Sequence, residues 1–205
     1  MIAQRINGAL RLMPLWAVYL LGALPFAWLV VQAVTGRLGV DPTKAIEWSL
    51  GLTGLQFLLG GLCITPLRWL TGVNLIRFRR AVGLLAFAYV ALHLLTWLLL
   101  DIQLRWGEIG ADLTKRPYIM IGMVGFAAMV PLAVTSNNLS IRRMGAAAWQ
   151  QLHKLTYLAA LAGGLHYMVL VKAWPLEPML YLGGVVSLLA WRAVRGGRRL
   201  AARTA

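Results

Sequence analysis

The sequence predicts an all-α integral membrane protein, a bundle of six transmembrane helices with both termini in the cytoplasm. Three observations support this fold class. Of the 205 residues, 60% are hydrophobic and only 13% are charged, about half the charged share of a typical soluble domain. Six windows have the roughly 20 mostly apolar residues that a helix needs to cross a bilayer. Unbalanced positive charge is confined to alternate connections between these windows.

The six predicted spans are separated by short connections, so residues 1–205 are predicted to form a single membrane domain. The first apolar run is too long for a signal peptide and has no small-residue cleavage site after it, so we interpret it as a membrane helix. Cys63 is the only cysteine, which excludes disulfides and cysteine-based metal sites. The predicted spans cover residues 12–34, 48–70, 80–100, 117–135, 148–170 and 175–193.

The net charge of +14 is distributed unequally between the two sides of the predicted bundle. The N-terminus, the loops at 71–79 and 136–147, the tail and the adjoining span ends together hold fourteen Lys and Arg and no acid. The other connections balance six acids with six bases. The positive-inside rule therefore places the first set in the cytoplasm. We expect this basic side to contact anionic lipid head groups, and we expect no nucleic-acid partner.

Histidines are the ionisable groups that remain deep in the spans, since the one acid within their bounds, Glu177, lies at the very start of the sixth. His93 in span three and His166 in span five should lie about 10 Å and about 6 Å below the outer ends of their spans. Two imidazoles from separate helices at similar depth are typical of axial haem ligation. The alternative is that each makes an interhelical hydrogen bond. Small residues nearby would leave room for a flat macrocycle: Gly163, Gly164, Ala88 and Ala91.

The third histidine, His153, lies near the cytoplasmic end of span five, about 20 Å along the helix axis from His166. This separation suits two haems stacked across a membrane. However, the matching inner position of span three holds Arg79 or Arg80, so a second bis-histidine site cannot form within this chain. His153 therefore either contacts an inner cofactor or has a structural role.

Four segments of the chain resemble the MsrQ family, also called YedZ, over about residues 12–193. Members of this family are haem-binding membrane subunits of the bacterial periplasmic methionine-sulfoxide reductase system. Their wider relatives are the ferric-reductase and NADPH-oxidase membrane domains, which bind haem between the third and fifth helices. The segments are ITPLR (64–68), RFRRAVGLLAFAYVALH (77–93), TKRPYIMIG (114–122) and WQQLHKLTYLAALAGGLHY (149–167).

The resemblance implies a b-type haem with His93 and His166 as ligands, with His153 as a further family histidine. It also implies an FMN and electron transfer to a periplasmic molybdopterin-containing methionine-sulfoxide reductase, which repairs oxidised envelope proteins. The electrons would come from the quinone pool or a cytosolic flavin reductase. The chain would then be a redox subunit in the bacterial inner membrane rather than a complete enzyme. Only about a dozen residues follow the sixth span, so we expect the donor to be another molecule.

The site of the implied FMN has no clear motif. Its phosphate would suit a cluster of arginines near Trp149. The alternative is that these arginines act only as topology signals. The cluster comprises Arg77, Arg79 and Arg80.

Two other functions are compatible with a small apolar bundle. One is a transporter or channel, although proton-coupled carriers usually keep an acid inside the membrane and none lies deep in a predicted span here. The other is a structural anchor, without a redox cofactor, for a periplasmic enzyme.

Overall fold

The computed structural model describes residues 2–171 and 175–204, with side chains up to Arg195. Across these residues the chain is helical and has no strand, which confirms the predicted all-α class. The α-helices of this described part are α1 (Ile2–Leu12), α2 (Leu15–Val34), α3 (Pro42–Thr71), α4 (Arg79–Thr96), α5 (Trp106–Lys115), α6 (Pro117–Val134), α7 (Asn138–Met144), α8 (Ala146–Leu152), α9 (Leu155–Leu170) and α10 (Leu176–Thr204). A 3-10 turn at Ile76–Phe78 precedes α4, and a π-helical segment at Trp97–Asp101 continues it.

The first four predicted spans correspond to helical stretches that are long and apolar enough to cross a membrane. These are Leu15–Val34, Pro42–Thr71, Ile76–Asp101 and Pro117–Val134. The sixth predicted span falls in α10, which starts at Leu176. Six membrane crossings, the single-domain boundary and the orientation of the termini stay predictions.

The fifth predicted span, 148–170, is not one continuous helix. It is divided between α8 and α9 at His153 and Lys154, where the backbone hydrogen bonds shorten to an i→i+3 pattern. The N–H of Lys154 donates to the oxygen of Gln151 at 3.1 Å, and that of Tyr157 donates to the oxygen of Lys154 at 2.9 Å. This tighter turn leaves α9 with 16 residues, about 24 Å of helix.

Glycine lets α3 and α4 pack closely against each other. A Cβ atom at Gly54 would lie 2.7 Å from Cγ2 of Val90, closer than carbon atoms approach without a clash. In the same way α6 packs along α9, where a Cβ at Gly125 would lie 3.1 Å from that of Ala162. A buried core joins these helices to α10, and its members are Leu58, Leu62, Ala86, Ala128, Met129, Ala159, Ala160 and Val185.

The hydroxyl of Tyr89 on α4 is inserted into the hydrogen-bond ladder of α2. It donates to the backbone oxygen of Gly22 at 2.7 Å and accepts from the N–H of Phe26 at 3.0 Å. In a regular helix these two backbone groups would bond to each other. They lie beside Pro25, which has no N–H to contribute to the ladder. Tyr89 therefore provides hydrogen-bond partners for both backbone groups of the interrupted turn and links α2 to α4.

The segments predicted to be cytoplasmic lie at one end of the bundle. Asn7 of α1 donates to the backbone oxygen of Gly72 at 3.0 Å. Arg80 donates to Asn138 of α7 at 2.9 Å, and the guanidinium of Arg195 lies 3.7 Å above the ring of Trp69. These contacts place all the basic segments at the same end of the bundle, as the positive-inside assignment requires. The segments are the N-terminus, the two basic loops and the start of the tail.

Candidate functional site

The fold brings together the two histidines that the sequence pairs by depth. His93 on α4 and His166 on α9 have ring centroids 6.1 Å apart, with 78° between the ring planes. Imidazole nitrogens bind metals at about 2 Å, so two rings on opposite sides of one metal ion have centroids roughly 6 Å apart. The spacing therefore fits axial ligation of a single metal.

Each ring has one nitrogen bonded to the backbone of a neighbouring helix. Nδ1 of His93 lies 2.8 Å from the oxygen of Glu47, and Nδ1 of His166 lies 2.6 Å from the oxygen of Tyr118. A carbonyl oxygen only accepts, so each Nδ1 carries the proton and donates it. The free lone pair is consequently on Nε2, and a neutral imidazole binds a metal through such a lone pair.

A glycine gives each histidine ring access to its carbonyl. A Cβ atom at Gly51 would lie 3.0 Å from Nδ1 of His93, and one at Gly122 would lie 2.8 Å from Nδ1 of His166. Each glycine follows its carbonyl residue by four positions, so it lies directly over that carbonyl on the helix surface. Gly51 is one of four glycines in the second predicted span, a composition typical of close helix packing. No residue pattern indicates a role for Gly122 or for the two carbonyl residues.

A cavity of about 390 Å³ lies between α3, α4, α6 and α9 and includes both histidines. Its walls are mostly apolar, as is usual for cofactor sites. Gly163 lines the cavity as expected, but Gly164 does not: its missing Cβ would instead contact Leu182 of α10, 3.2 Å away. Ala88 and Ala91 are also absent from the lining. The apolar lining includes Leu52, Leu55, Leu58, Val90, Ile119, Met123, Phe126, Met129 and Leu170.

Charged residues surround the end of this cavity that is opposite the basic side of the bundle. Lys44 forms ion pairs with Glu47 at 3.0 Å and with Asp101 at 2.7 Å. Arg116 pairs with Asp112 at 2.9 Å and donates to the hydroxyl of Tyr118 at 3.2 Å. Hydrogen bonding to that hydroxyl raises the pKa of Arg116 above its ordinary value, so the guanidinium stays charged. The cavity is thus apolar inside and has cations and acids around the rim of this end.

The rim also includes an irregular stretch of backbone. Trp97 and Asp101, the two ends of the π-helical segment, line the cavity. Gln103 and Leu104 follow with φ of 53° and 58°, the left-handed region that non-glycine residues rarely adopt. π-Helical turns and strained residues concentrate at functional sites. The ion pair between Lys44 and Asp101 ties this segment to the start of α3.

His153 lies in a separate cluster at the basic end and is not part of the cavity lining. Its ring stacks on Trp149 with centroids 3.7 Å apart, and its Nε2 lies 3.2 Å from the hydroxyl of Thr135. The indole of Trp149 donates to the backbone oxygen of Thr135 at 2.8 Å. The charges of Arg79 and Arg80 are near enough to act on His153. With His93 and His166 paired in the cavity, the chain has no further histidine that could pair with His153.

The third arginine of the predicted cluster has a different contact. Arg77 donates to the backbone oxygens of Leu10 and Arg11, at 3.2 and 2.9 Å, and so satisfies the last turn of α1. Arg192, which the sequence assigned to the basic tail, reaches back to the oxygen of Leu62 at 2.6 Å. No residue pattern indicated that contact, because a basic residue near a span end is the ordinary topology signal.

Comparison with known proteins places the chain within a family. The family described as "Ferric reductase like transmembrane component" matches residues 46–164, a range that includes His93 and ends just before His166. Proteins of Brucella ovis, Brucella abortus and Brucella melitensis named "Protein-methionine-sulfoxide reductase heme-binding subunit MsrQ" are each 47% identical over 181 residues. The match covers 88% of this chain and 82% of each relative. The chain therefore belongs to the MsrQ family of ferric-reductase-like membrane proteins.

Proposed function

We propose that this membrane redox subunit holds a b-type haem between α4 and α9, with His93 and His166 as its axial ligands. The observation that carries the proposal is the pair of imidazoles 6.1 Å apart in one cavity, each with Nδ1 bonded to a carbonyl. A haem bound there would supply one-electron transfer. The name of the relatives, which includes haem binding, also supports the proposal.

The backbone oxygens that accept from the two imidazoles would tune the haem. Those of Glu47 and Tyr118 fix the tautomer of each ring and make its Nε2 a stronger electron donor to the iron. A stronger donor favours ferric iron and lowers the reduction potential. The apolar walls limit the access of water to the iron, which also affects the potential.

The visible spectrum of the detergent-purified protein tests this proposal. Wild-type protein should show a Soret band and the spectrum of a low-spin, six-coordinate haem. His93→Ala and His166→Ala should each abolish that six-coordinate spectrum, because the cavity lining offers no other histidine as a substitute. His153→Ala is the matched control and should retain the spectrum, since His153 lies outside the lining. A colourless wild-type protein would refute the proposal and favour a transporter or a structural anchor.

The direction of electron transfer is the second part of the proposal. We infer that electrons leave through the outer end of the cavity to a periplasmic molybdopterin-containing methionine-sulfoxide reductase. The name of the relatives, which refers to a protein-methionine-sulfoxide reductase, supports a partner with that activity. The quinone pool or a cytosolic flavin reductase would supply the electrons, and the bacterial inner membrane would be the location. Chemically reduced protein should be reoxidised by a catalytic amount of the partner plus methionine sulfoxide, and much more slowly by the same amount of partner alone, which can take up only the few electrons that its own redox centre holds. Equal rates in both cases would contradict the assignment.

The third part is a flavin near the basic end. An outer haem leaves roughly 20 Å of helix between it and the cytoplasmic surface. FMN held by Arg79 and Arg80, with Trp149 and His153 beside its ring, would shorten that gap. The support is that Trp149 stacks on His153 and that the charges of Arg79 and Arg80 act on that histidine. Arg77 also belongs to the proposed phosphate site, although its guanidinium already bonds α1.

Paired substitutions test the flavin site while keeping enough positive charge for orientation. Arg77, Arg79 and Arg80 are replaced by glutamine two at a time, and bound flavin is measured per haem. The pair that includes both Arg79 and Arg80 should lose the most flavin. If every double variant kept the wild-type flavin content, the three arginines would not bind flavin and would act only as topology signals.

A further inference from the structure

The haem-site geometry is repeated on the two sides of the cavity. On one side Glu47 accepts from His93 through its backbone oxygen, and its carboxylate bonds Lys44. On the other side Tyr118 accepts from His166 through its backbone oxygen, and its hydroxyl bonds Arg116. One residue on each side therefore joins a histidine to a cation at the rim.

Both cations stand at the start of a helix that lines the cavity. Lys44 is in the first turn of α3, where its N–H donates to the capping carboxylate of Asp41 at 3.0 Å. Arg116 is the residue before Pro117, the first residue of α6. Both cations also line the cavity. The positive ends of the α3 and α6 dipoles thus lie at the same opening as the two side-chain cations, although Arg116 is also the C-terminal cap of α5.

The rim contacts leave donors unused on both cations. Lys44 has three N–H groups, and its ion pairs with Glu47 and Asp101 use two acceptors. Arg116 has five N–H groups, of which Nε bonds Asp112 and one terminal nitrogen bonds Tyr118. Their side chains are 47% and 53% exposed, so an incoming anion can reach them.

We propose that Lys44 and Arg116 each bind one of the two carboxylates on the edge of a dicarboxylate porphyrin. The inference rests on the proposed haem function and adds an orientation to it: the carboxylate edge lies at the outer rim, and the hydrocarbon edge lies deep between the helices. The two histidines would hold the iron. The two cations would fix how the porphyrin is rotated about the line between the histidines. The cavity matches this polarity, because its interior is apolar and its rim is charged.

The test compares two porphyrins that differ only in their carboxylates. Protein purified without haem is titrated with iron protoporphyrin IX and with its dimethyl ester, and the bis-histidine spectrum reports binding of each. Wild-type protein should bind the diacid more tightly than the ester. Lys44→Gln and Arg116→Gln should each reduce that preference by roughly 1.5- to fivefold, the range for partly exposed ion pairs.

Arg105→Gln is the matched control. Arg105 forms an ion pair with Glu108 at 2.7 Å on the same side of the protein but does not line the cavity. This variant should keep the wild-type preference. Equal affinity of wild-type protein for both porphyrins, with a bis-histidine spectrum in each case, would overturn the carboxylate assignment and leave the haem function intact. Failure of both porphyrins to give that spectrum would overturn both.

Discussion

Nδ1 of His93 lies 2.8 Å from the backbone oxygen of Glu47, and this bond exists because residue 51, one helical turn later, is glycine. The same relation joins His166 to Tyr118 across Gly122. A helix normally shields its carbonyls with the side chain of the following turn. Removing that side chain at one position exposes the carbonyl and admits the edge of an imidazole ring.

Substitution of either glycine should therefore weaken cofactor binding. In Gly51→Ala and Gly122→Ala the new Cβ would lie 3.0 or 2.8 Å from Nδ1, and the ring must rotate away from its carbonyl. Rotation off a preferred side-chain conformation costs about 1 kcal/mol, and the lost hydrogen bond about 1 kcal/mol more. We expect haem affinity to fall about tenfold or more, with a raised reduction potential in the haem that remains bound.

Gly60→Ala is the control for this pair. Gly60 lies on the same helix as Gly51, and no atom outside that helix lies within 4 Å of the position that a Cβ would occupy there. The haem affinity and potential of this variant should match those of wild-type protein, while the alanine slightly favours the helix. If Gly51→Ala and Gly60→Ala gave the same potential and affinity, the glycine would have no role in positioning the ligand.

The angle between the two imidazole planes gives a spectroscopic prediction. The rings lie at 78° to each other, and each is held in that orientation by its own carbonyl bond. Nearly perpendicular axial ligands leave the iron orbitals close in energy, so the ferric protein should give a highly anisotropic low-spin EPR signal. Glycine-to-alanine variants that free one ring should broaden the signal or change its anisotropy. A rhombic signal typical of parallel rings in the wild-type protein would contradict the geometry.

The sequence was sufficient to predict the helical class, the membrane character and the pairing of His93 with His166. Apolar length and charge asymmetry report directly on membrane crossing, and a buried histidine is rare enough to stand out. Helical rise then relates the depths of two histidines without any tertiary information.

The sequence was insufficient for the groups that hold the ligands. Any residue supplies a backbone oxygen, so nothing in the identities of Glu47 or Tyr118 indicates an acceptor for histidine. The break between α8 and α9 was missed for a similar reason. It accompanies contacts of Trp149 and His153 with Thr135, fourteen or more residues away, which no local pattern reveals.

The orientation in the membrane is open to a direct test with reporter fusions. Fusions after residues 75, 140 and 200 should report the cytoplasm, and fusions after residues 40, 110 and 174 should report the periplasm. The reason is the imbalance of fourteen cations against no acid on the first side. A single reversed position would require a different number of crossings, since a helix with both of its ends on the same side does not cross the membrane.

The contact of Tyr89 with α2 gives a prediction about stability. In Tyr89→Phe the oxygen of Gly22 and the N–H of Phe26 both lose their partner. They lie at a turn next to Pro25, in a segment predicted to be surrounded by lipid, where water cannot replace the hydroxyl. We expect a loss of about 1–3 kcal/mol of stability, measured as a lower midpoint of thermal unfolding in detergent. Tyr19→Phe is the control, because Tyr19 lies on α2 itself and is 39% exposed. Equal midpoints for the two variants would mean that the backbone groups of α2 bond to each other without Tyr89, so that the helix does not depend on it.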